Sequence, residues 1–382
     1  MDYIYLDHAA ATPMSESVRT AMQPYFSDNF YNPSATYLPA RQARGALEDA
    51  RHHVAMYLGA RPTEVIFTAG GTEANNVAIA GVMANFPNCS VTVSAIEHES
   101  VLEPARQFNC SVALVSQEGR VNPADLRRKI SEDTVLVSIM YANNEVGTIQ
   151  PIREVARLLA ELRAERKQKG IDLPLYFHSD ACQATNYLGL QVASLGVDMM
   201  TLNGSKIYGP KQTGVLYASS HVQLAPLIRG GGQERTLRSG TENVPGIIGF
   251  AAALGEAQQM RAAETTRLTE VKNHALHLLN RTIPSKIIVN GSLKHRLPNN
   301  IHLTLPGLDN ERLLVELEMR GILAAAGSAC SASNEEPSHV LRAMGRTAEE
   351  ARSSLRITLG RSTALADMDR FVQALTEIVK SN

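Results

Sequence analysis

Cysteine is scarce in this chain: four occur in 382 residues, Cys89, Cys110, Cys182 and Cys330. Their spacings match no zinc or disulfide framework, so neither a metal site nor a disulfide-stapled fold is expected. In a reducing compartment all four are thiols, and burial as a small hydrophobe is their ordinary fate. Net charge is nearly absent as well. With 37 lysines and arginines against 38 aspartates and glutamates, no basic footprint points to nucleic acid or to an anionic membrane. Long apolar runs are missing: Gly, Asp, Arg or His interrupts every stretch before it nears the roughly 20 residues of a membrane span. The opening Met1-Asp2-Tyr3-Ile4-Tyr5-Leu6-Asp7 carries acid where an export signal carries lysine or arginine. A cytoplasmic protein is expected.

What is present suits a large α/β protein. The length exceeds what one hydrophobic core serves, so two domains are expected. Short β-branched runs bounded by Gly, Pro or polar clusters read as buried strands: 64–68, 90–94, 112–115, 134–138 and 175–178. Helical patterns such as Pro151 to Lys169 separate them, which argues a mostly parallel sheet. From about Gln258 the pattern changes to a long helix, Glu256 to Leu279. Strands at 287–289, 300–304 and 355–359 and a helix from Asn310 to Arg320 follow, and suggest a smaller α+β domain. The expected division is 13–257 for the large domain, with 1–12 and 258–382 forming the small one. The first dozen residues read as an extended arm.

Nucleotide fingerprints fail. Arg235 stands where Gly230-Gly231-Gly232 would need a later glycine, and Pro210 where a P-loop needs lysine. Three other segments carry chemistry. Gly70-Gly71-Thr72-Glu73 follows a strand and enters a helix, so free amides and the Thr72 hydroxyl suit a phosphate; an ordinary helix cap reads the same way. Asp180, just past a strand end, can pair with a protonated pyridine nitrogen or simply cap a helix. His178 and Cys182, four residues apart, are too few for a metal site. Lys206 lies among small residues and glycines, where desolvation or nearby positive charge makes an amine a good imine former; an exposed loop lysine is the plain alternative. Cys330, within Ala326-Gly327-Ser328-Ala329-Cys330-Ser331, has small neighbours that leave a thiol reachable.

Taken in order, these segments resemble the cysteine desulfurases, the class-V branch of fold-type-I pyridoxal-phosphate enzymes, and in particular the kind serving iron-sulfur assembly. The resemblance spans nearly the whole chain. It also includes Tyr5-Leu6-Asp7-His8-Ala9-Ala10-Ala11-Thr12-Pro13, Asn32-Pro33-Ser34, Glu97-His98, Asn143-Asn144-Glu145-Val146-Gly147, Arg238-Ser239-Gly240-Thr241 and Ser354-Leu355-Arg356. It implies a seven-stranded, mostly parallel sheet in the large domain, and a small domain carrying the nucleophile loop. It implies pyridoxal 5'-phosphate held by Gly71, Thr72, His98, Asn143, Asp180, Gln183, Asn203, Ser205 and Lys206, with His178 also at a ring-binding position. Thr241 would reach the phosphate of the other subunit in a homodimer.

The implied activity converts L-cysteine to L-alanine. Arg356 and Asn143 would hold the substrate, Lys206 and His98 would move protons, and Cys330 would take the sulfur as a persulfide. The sulfur would pass to an acceptor protein, an iron-sulfur scaffold or a tRNA-thiolation protein. Ser205 stands where the family usually has histidine, so phosphate would rely on Asn and Ser donors; Tyr37 stands near another usual histidine. Selenocysteine cleavage or amino transfer uses the same lysine, aspartate and arginine, and a sulfur-relay protein without catalysis is a third reading.

Overall fold

The computed structural model describes residues 3–327 and 337–381. Among them twelve strands form three sheets. In chain order these are β1 (Ile4–Tyr5), β2 (Val65–Thr68), β3 (Ser90–Ser94), β4 (Asn109–Ala113), β5 (Thr134–Ser138), β6 (Tyr176–Asp180), β7 (Met199–Asn203), β8 (Gly214–Ala218), β9 (Ile288–Val289), β10 (Asn300–Thr304), β11 (Ile322–Leu323) and β12 (Ser354–Thr358). Every residue of β2, β3, β5, β6 and β8 is buried, as expected where helices cover both faces of a sheet and the strands read as unbroken apolar runs.

The large sheet has the order β2-β8-β7-β6-β5-β3-β4. Strands β3 to β7 run parallel, while β8 is antiparallel to both of its neighbours. Since β8 alone is reversed, β2 points the same way as β7. The segments leaving β2, β3, β5, β6 and β7 therefore emerge at one edge, where open α/β sheets keep their ligands. The second sheet is β12-β10-β9, antiparallel, and β1 pairs with β11 in parallel.

The expected α/β architecture is present, with three differences in detail. The strand expected at 112–115 lies at Asn109–Ala113, because β4 is an edge strand set by its pairing with β3 and leaves Val112 exposed. The runs forming β7 and β8 carry a weaker strand signal, since Met, Asn and Gly dilute their β-branched content. The long helix starts twelve residues earlier than expected and spans Val244–Thr282. Gly246, Gly249 and Gly255 lower its helix propensity, but Pro245 sits in the first turn and Asn243 caps Gly246 N–H. This helix runs unbroken through the expected division at 257/258. Its residues touch the helix Leu38–Leu58 of the large-sheet layer and also the terminal helix Leu365–Ser381. No helix among the described residues is long and apolar enough to cross a membrane.

Candidate active site

One cavity at the carboxyl edge of the large sheet is lined by Ala9, Ala10, Gly71, Thr72, Asn75, His98, Ser100, Met140, Ala142, Asn144, Asp180, Cys182, Gln183, Asn203, Lys206 and Arg356. It holds about 590 Å³ of empty space, part of it open to solvent.

The strand β2 ends at Thr68, and the helix Gly71–Met83 begins three residues later with Gly70 as its cap, at φ 135°. Among the described residues no side chain caps this helix, so its first N–H groups are left to a ligand or water. Gly71 has to be glycine for a packing reason: a Cβ there would lie 2.8 Å from Cys182 Sγ. Glu73 accepts from Ala69 N–H and pairs with Arg238 at 2.9 Å, which holds the turn from both sides.

Asp180 ends β6. One carboxylate oxygen accepts Cys182 N–H at 2.9 Å and the other accepts Asn75 Nδ2 at 2.8 Å. Asn75 also donates to Ser100 Oγ at 2.8 Å, and Ser100 Oγ lies 2.8 Å from His98 Nδ1. His98 Nδ1 accepts Ser100 N–H, so a neutral ring carries its proton on Nε2. A chain of hydrogen bonds thus runs Asp180, Asn75, Ser100, His98. Asn75 was not picked out from the sequence. Its place one turn beyond Thr72 in the same helical stretch is the sign the sequence offers.

Lys206 closes a short turn after β7. Asn203 Oδ1 accepts Ser205 N–H, Gly204 N–H reaches Thr213 O at 2.9 Å, and Asn186 Nδ2 donates to Lys206 O at 2.7 Å. The Lys206 ammonium donates to Ala10 O of the N-terminal arm. Ala9 O accepts from Gln183 Nε2 at 3.0 Å, so the arm forms one wall of the cavity. Cys182 is half-buried beside Asp180, and desolvation first and then the carboxylate push its thiol well up. It is a neutral wall here rather than a nucleophile.

The site also departs from three expected contacts. Asn143 does not line the cavity: its Nδ2 donates to Ile96 O, and its Oδ1 caps Glu145 and Val146 N–H, which consumes the side chain in the turn. Its neighbour Asn144 lines the cavity instead. Ser205 Oγ is turned to Asn203 Oδ1 at 3.2 Å, and Asn203 takes the cavity position. His178 lies inside β6, between Ser138 Oγ at 2.8 Å and Thr201 Oγ1 at 3.0 Å, and burial lowers it to about 4. Being on a strand, it shares no helix face with Cys182, and no metal-holding cluster occurs among the described residues. Thr241 lines a separate depression with Thr68, Gln212 and Glu242, away from this chain's own cavity. Cys330 lies outside the described residues. The chain leading toward it passes the site, since Ala325 and Arg356 exchange backbone hydrogen bonds.

Glu97, beside His98, is fully buried. Its Oε1 accepts Ser94 Oγ and Met140 N–H, while Oε2 meets no partner among the described residues. Burial pushes its carboxyl from 4.5 up to about 8. The folded state therefore holds this proton more tightly than the unfolded chain, and stability should fall as pH rises through that window. Glu97→Gln keeps the acceptor and removes the titration. The variant should gain on the wild type between about pH 5 and pH 8, by at most about 5 kcal/mol, read as urea midpoints at each pH.

Pyridoxal phosphate fits these residues. The uncapped helix start with Thr72 and Asn203 suits its phosphate, Asp180 its ring nitrogen and Lys206 its aldehyde. Two buried polar atoms without a partner among the described residues, Asn75 Oδ1 and Arg356 Nε, belong to residues that line the same cavity and leave hydrogen-bonding capacity there. A parallel sheet with this reversed strand and a lysine and an aspartate at its carboxyl edge has the arrangement of the fold-type-I pyridoxal-phosphate enzymes.

The aminotransferase class-V family model matches residues 4–371. The cysteine desulfurase IscS of Dictyoglomus turgidum is 39% identical over 384 residues, covering 99% of this chain and 94% of the relative. The solved structure of a NifS-like protein superposes with a TM-score of 0.89 at 30% identity, covering all of both chains. That of SspA in complex with cysteine does so at 0.77 and 32%, covering 93% of this chain and 98% of the other. The chain belongs to the class-V aminotransferase family, in its cysteine desulfurase branch.

Proposed function

We infer that this protein is a cysteine desulfurase: it converts L-cysteine to L-alanine and passes the sulfur to Cys330. The observation that carries this reading is the single cavity shared by Thr72, Asp180, Lys206 and Arg356. Together they offer separate partners for a phosphate, a pyridine nitrogen, an aldehyde and a substrate carboxylate.

Gly71, Thr72 and Asn203 would hold the phosphate, and Asp180, kept in place by Asn75, would hold the ring nitrogen. Bound there, the cofactor supplies an electron-accepting ring that stabilises the charge left when the substrate's Cα–H bond breaks. Arg356 binds the substrate carboxylate and Asn144 lies on the same wall. The Lys206 amine holds the cofactor and then takes the proton from Cα. His98, with its proton on Nε2, can return one to the product. Met140, Ala142, Ala9 and Ala10 give the cavity its apolar walls.

The Cys330 thiolate forms a new S–S bond to the substrate sulfur as the Cβ–S bond breaks. The electron pair of the broken bond stays with the three-carbon fragment, which takes up the thiol proton and leaves as alanine. A persulfide remains on the protein. A sulfur-acceptor protein, an iron-sulfur scaffold or a tRNA-thiolation protein, would then receive that sulfur. A second subunit would bring its Thr241 to the phosphate, completing a homodimer. In this reading residues 1–12 and 258–382 form the small domain that carries Cys330.

The test is incubation with L-cysteine, with alanine quantified and a +sulfur adduct sought on Cys330 by mass spectrometry. Cys330→Ser should retain the cofactor's absorbance and lose sulfide release to background. Sustained turnover in that variant removes Cys330 from its role, and absence of alanine from the wild type sinks the activity.

A further inference from the structure

Arg356 is a tightly held charged group of the cavity, and part of its constraint comes from the other end of the chain. It lies on β12, with a side chain only 2% exposed. The N-terminal arm meets the end of that strand at Thr358, two residues beyond where Ala325 pairs with Arg356. Thr358 N–H donates to Leu6 O at 2.7 Å and His8 N–H to Thr358 O at 3.3 Å, so hydrogen bonds flank Asp7 on both sides. Ala9 N–H reaches Thr358 Oγ1 at 2.9 Å, and Tyr5 OH donates to Asp7 O at 2.9 Å. Asp7 therefore has little backbone freedom. Its carboxylate accepts Arg356 Nη2 at 2.7 Å, and Asn144 O accepts Nη1 at 3.2 Å.

A guanidinium carries five N–H groups in one plane. Two are engaged here, one on each terminal nitrogen. Three remain, including Nε, which is buried without a partner among the described residues. A carboxylate needs two. We propose that Asp7 is a positioning residue for substrate binding: it locks the plane of the Arg356 fork, together with Asn144 O, so that the remaining donors meet the carboxylate of the amino acid without further ordering. This inference rests on the activity proposed above and adds a residue to its substrate grip.

Two effects of Asp7 oppose each other. Its negative charge weakens the attraction between Arg356 and an incoming carboxylate, while its contact removes the rotational freedom that a long side chain would otherwise lose on binding. At a side chain this buried, the guanidinium left without Asp7 has no other anion in contact among the described residues and turns elsewhere, so ordering dominates. Asp7→Ala should then raise KM for L-cysteine roughly ten- to thirtyfold, the size expected from Arg rotamer freedom, with kcat changed less than about threefold.

Asp7→Asn separates the two effects, because it keeps an oxygen acceptor and removes the charge. Steady-state alanine formation by the holoenzyme should show Asp7→Asn recovering most of the loss. In an Arg356→Ala background, Asp7→Ala should add little further loss, as coupled residues do. Should Asp7→Ala not yield folded protein, Asp7→Ser takes its place. A KM that is unchanged or lower in the truncated variant, a loss confined to kcat, an Asp7→Asn as impaired as the truncation, or additive losses with Arg356→Ala each overturn the proposal. Failure of the activity itself is distinguishable, since the wild type then forms no alanine.

Discussion

Lys206→Ala is expected to lower kcat/KM for alanine formation by at least about a thousandfold, the loss typical of removing a positioned acid-base group, with the cofactor anchor lost as well. The reason is structural as much as chemical. The turn that presents the amine is held by Asn203, Thr213 and Asn186, and a Cβ on Gly204 would fall 2.3 Å from Thr213 Oγ1. No other lysine lines the cavity. Borohydride treatment followed by intact mass should find the cofactor's mass on the wild type and none on the variant. Wild-type turnover by Lys206→Ala, or reductive trapping at a different lysine, would reassign the site.

The largest loss of stability is expected away from the cavity, at Arg51. Its guanidinium makes two bonds to Glu234, at 2.7 and 2.8 Å, with the two side chains 5% and 4% exposed. Glu234 also accepts Phe67 N–H at the centre of β2. This carboxylate anchors a strained segment: Glu234, Arg235 and Thr236 have φ of 44°, 56° and 67°, three consecutive non-glycine residues in the left-handed region. Each such residue costs on the order of 1–3 kcal/mol and persists only where its surroundings enforce it. Arg51→Met leaves a buried carboxylate without its cation, for a loss of about 3–5 kcal/mol. Urea unfolding measures it, and Arg51→Met with Glu234→Gln should recover part of the loss. An Arg51→Met protein as stable as the wild type would show that the pair and its strained loop are independent of each other. The same loop carries Arg238 to Thr241, so in the homodimer proposed above a weaker contact between subunits is expected to accompany the loss.

Much of the site was legible because it is local. A buried β-branched run followed by Gly70-Gly71-Thr72 marks a strand entering a helix within a few residues, and Asp180 sits on the last residue of such a run. Lys206 stands out by the glycines and small residues around it. Where the structure places side chains differently from expectation, the signal is local but the cause is tertiary. Asn143 and Asn144 are adjacent and chemically identical, and only the folded turn decides that the first is spent on Ile96 O, Glu145 N and Val146 N while the second faces the cavity. Ser205 likewise has a hydroxyl suited to phosphate, yet its neighbour Asn203 accepts it.

By itself, then, the amino-acid sequence determined the alternation of strand and helix, the phosphate-type turn, the aspartate at a strand end and the lysine beyond it, because each is set by backbone preferences and neighbours within a turn or a strand. Only the tertiary structure decided which side chains share one cavity: Asn75 against Asp180, Ala10 against Lys206, and Asp7 against Arg356 across 349 residues of sequence. Such pairings depend on strand order and on where the N-terminal arm lies, and hydrogen bonds between distant segments carry no periodicity that could announce them beforehand.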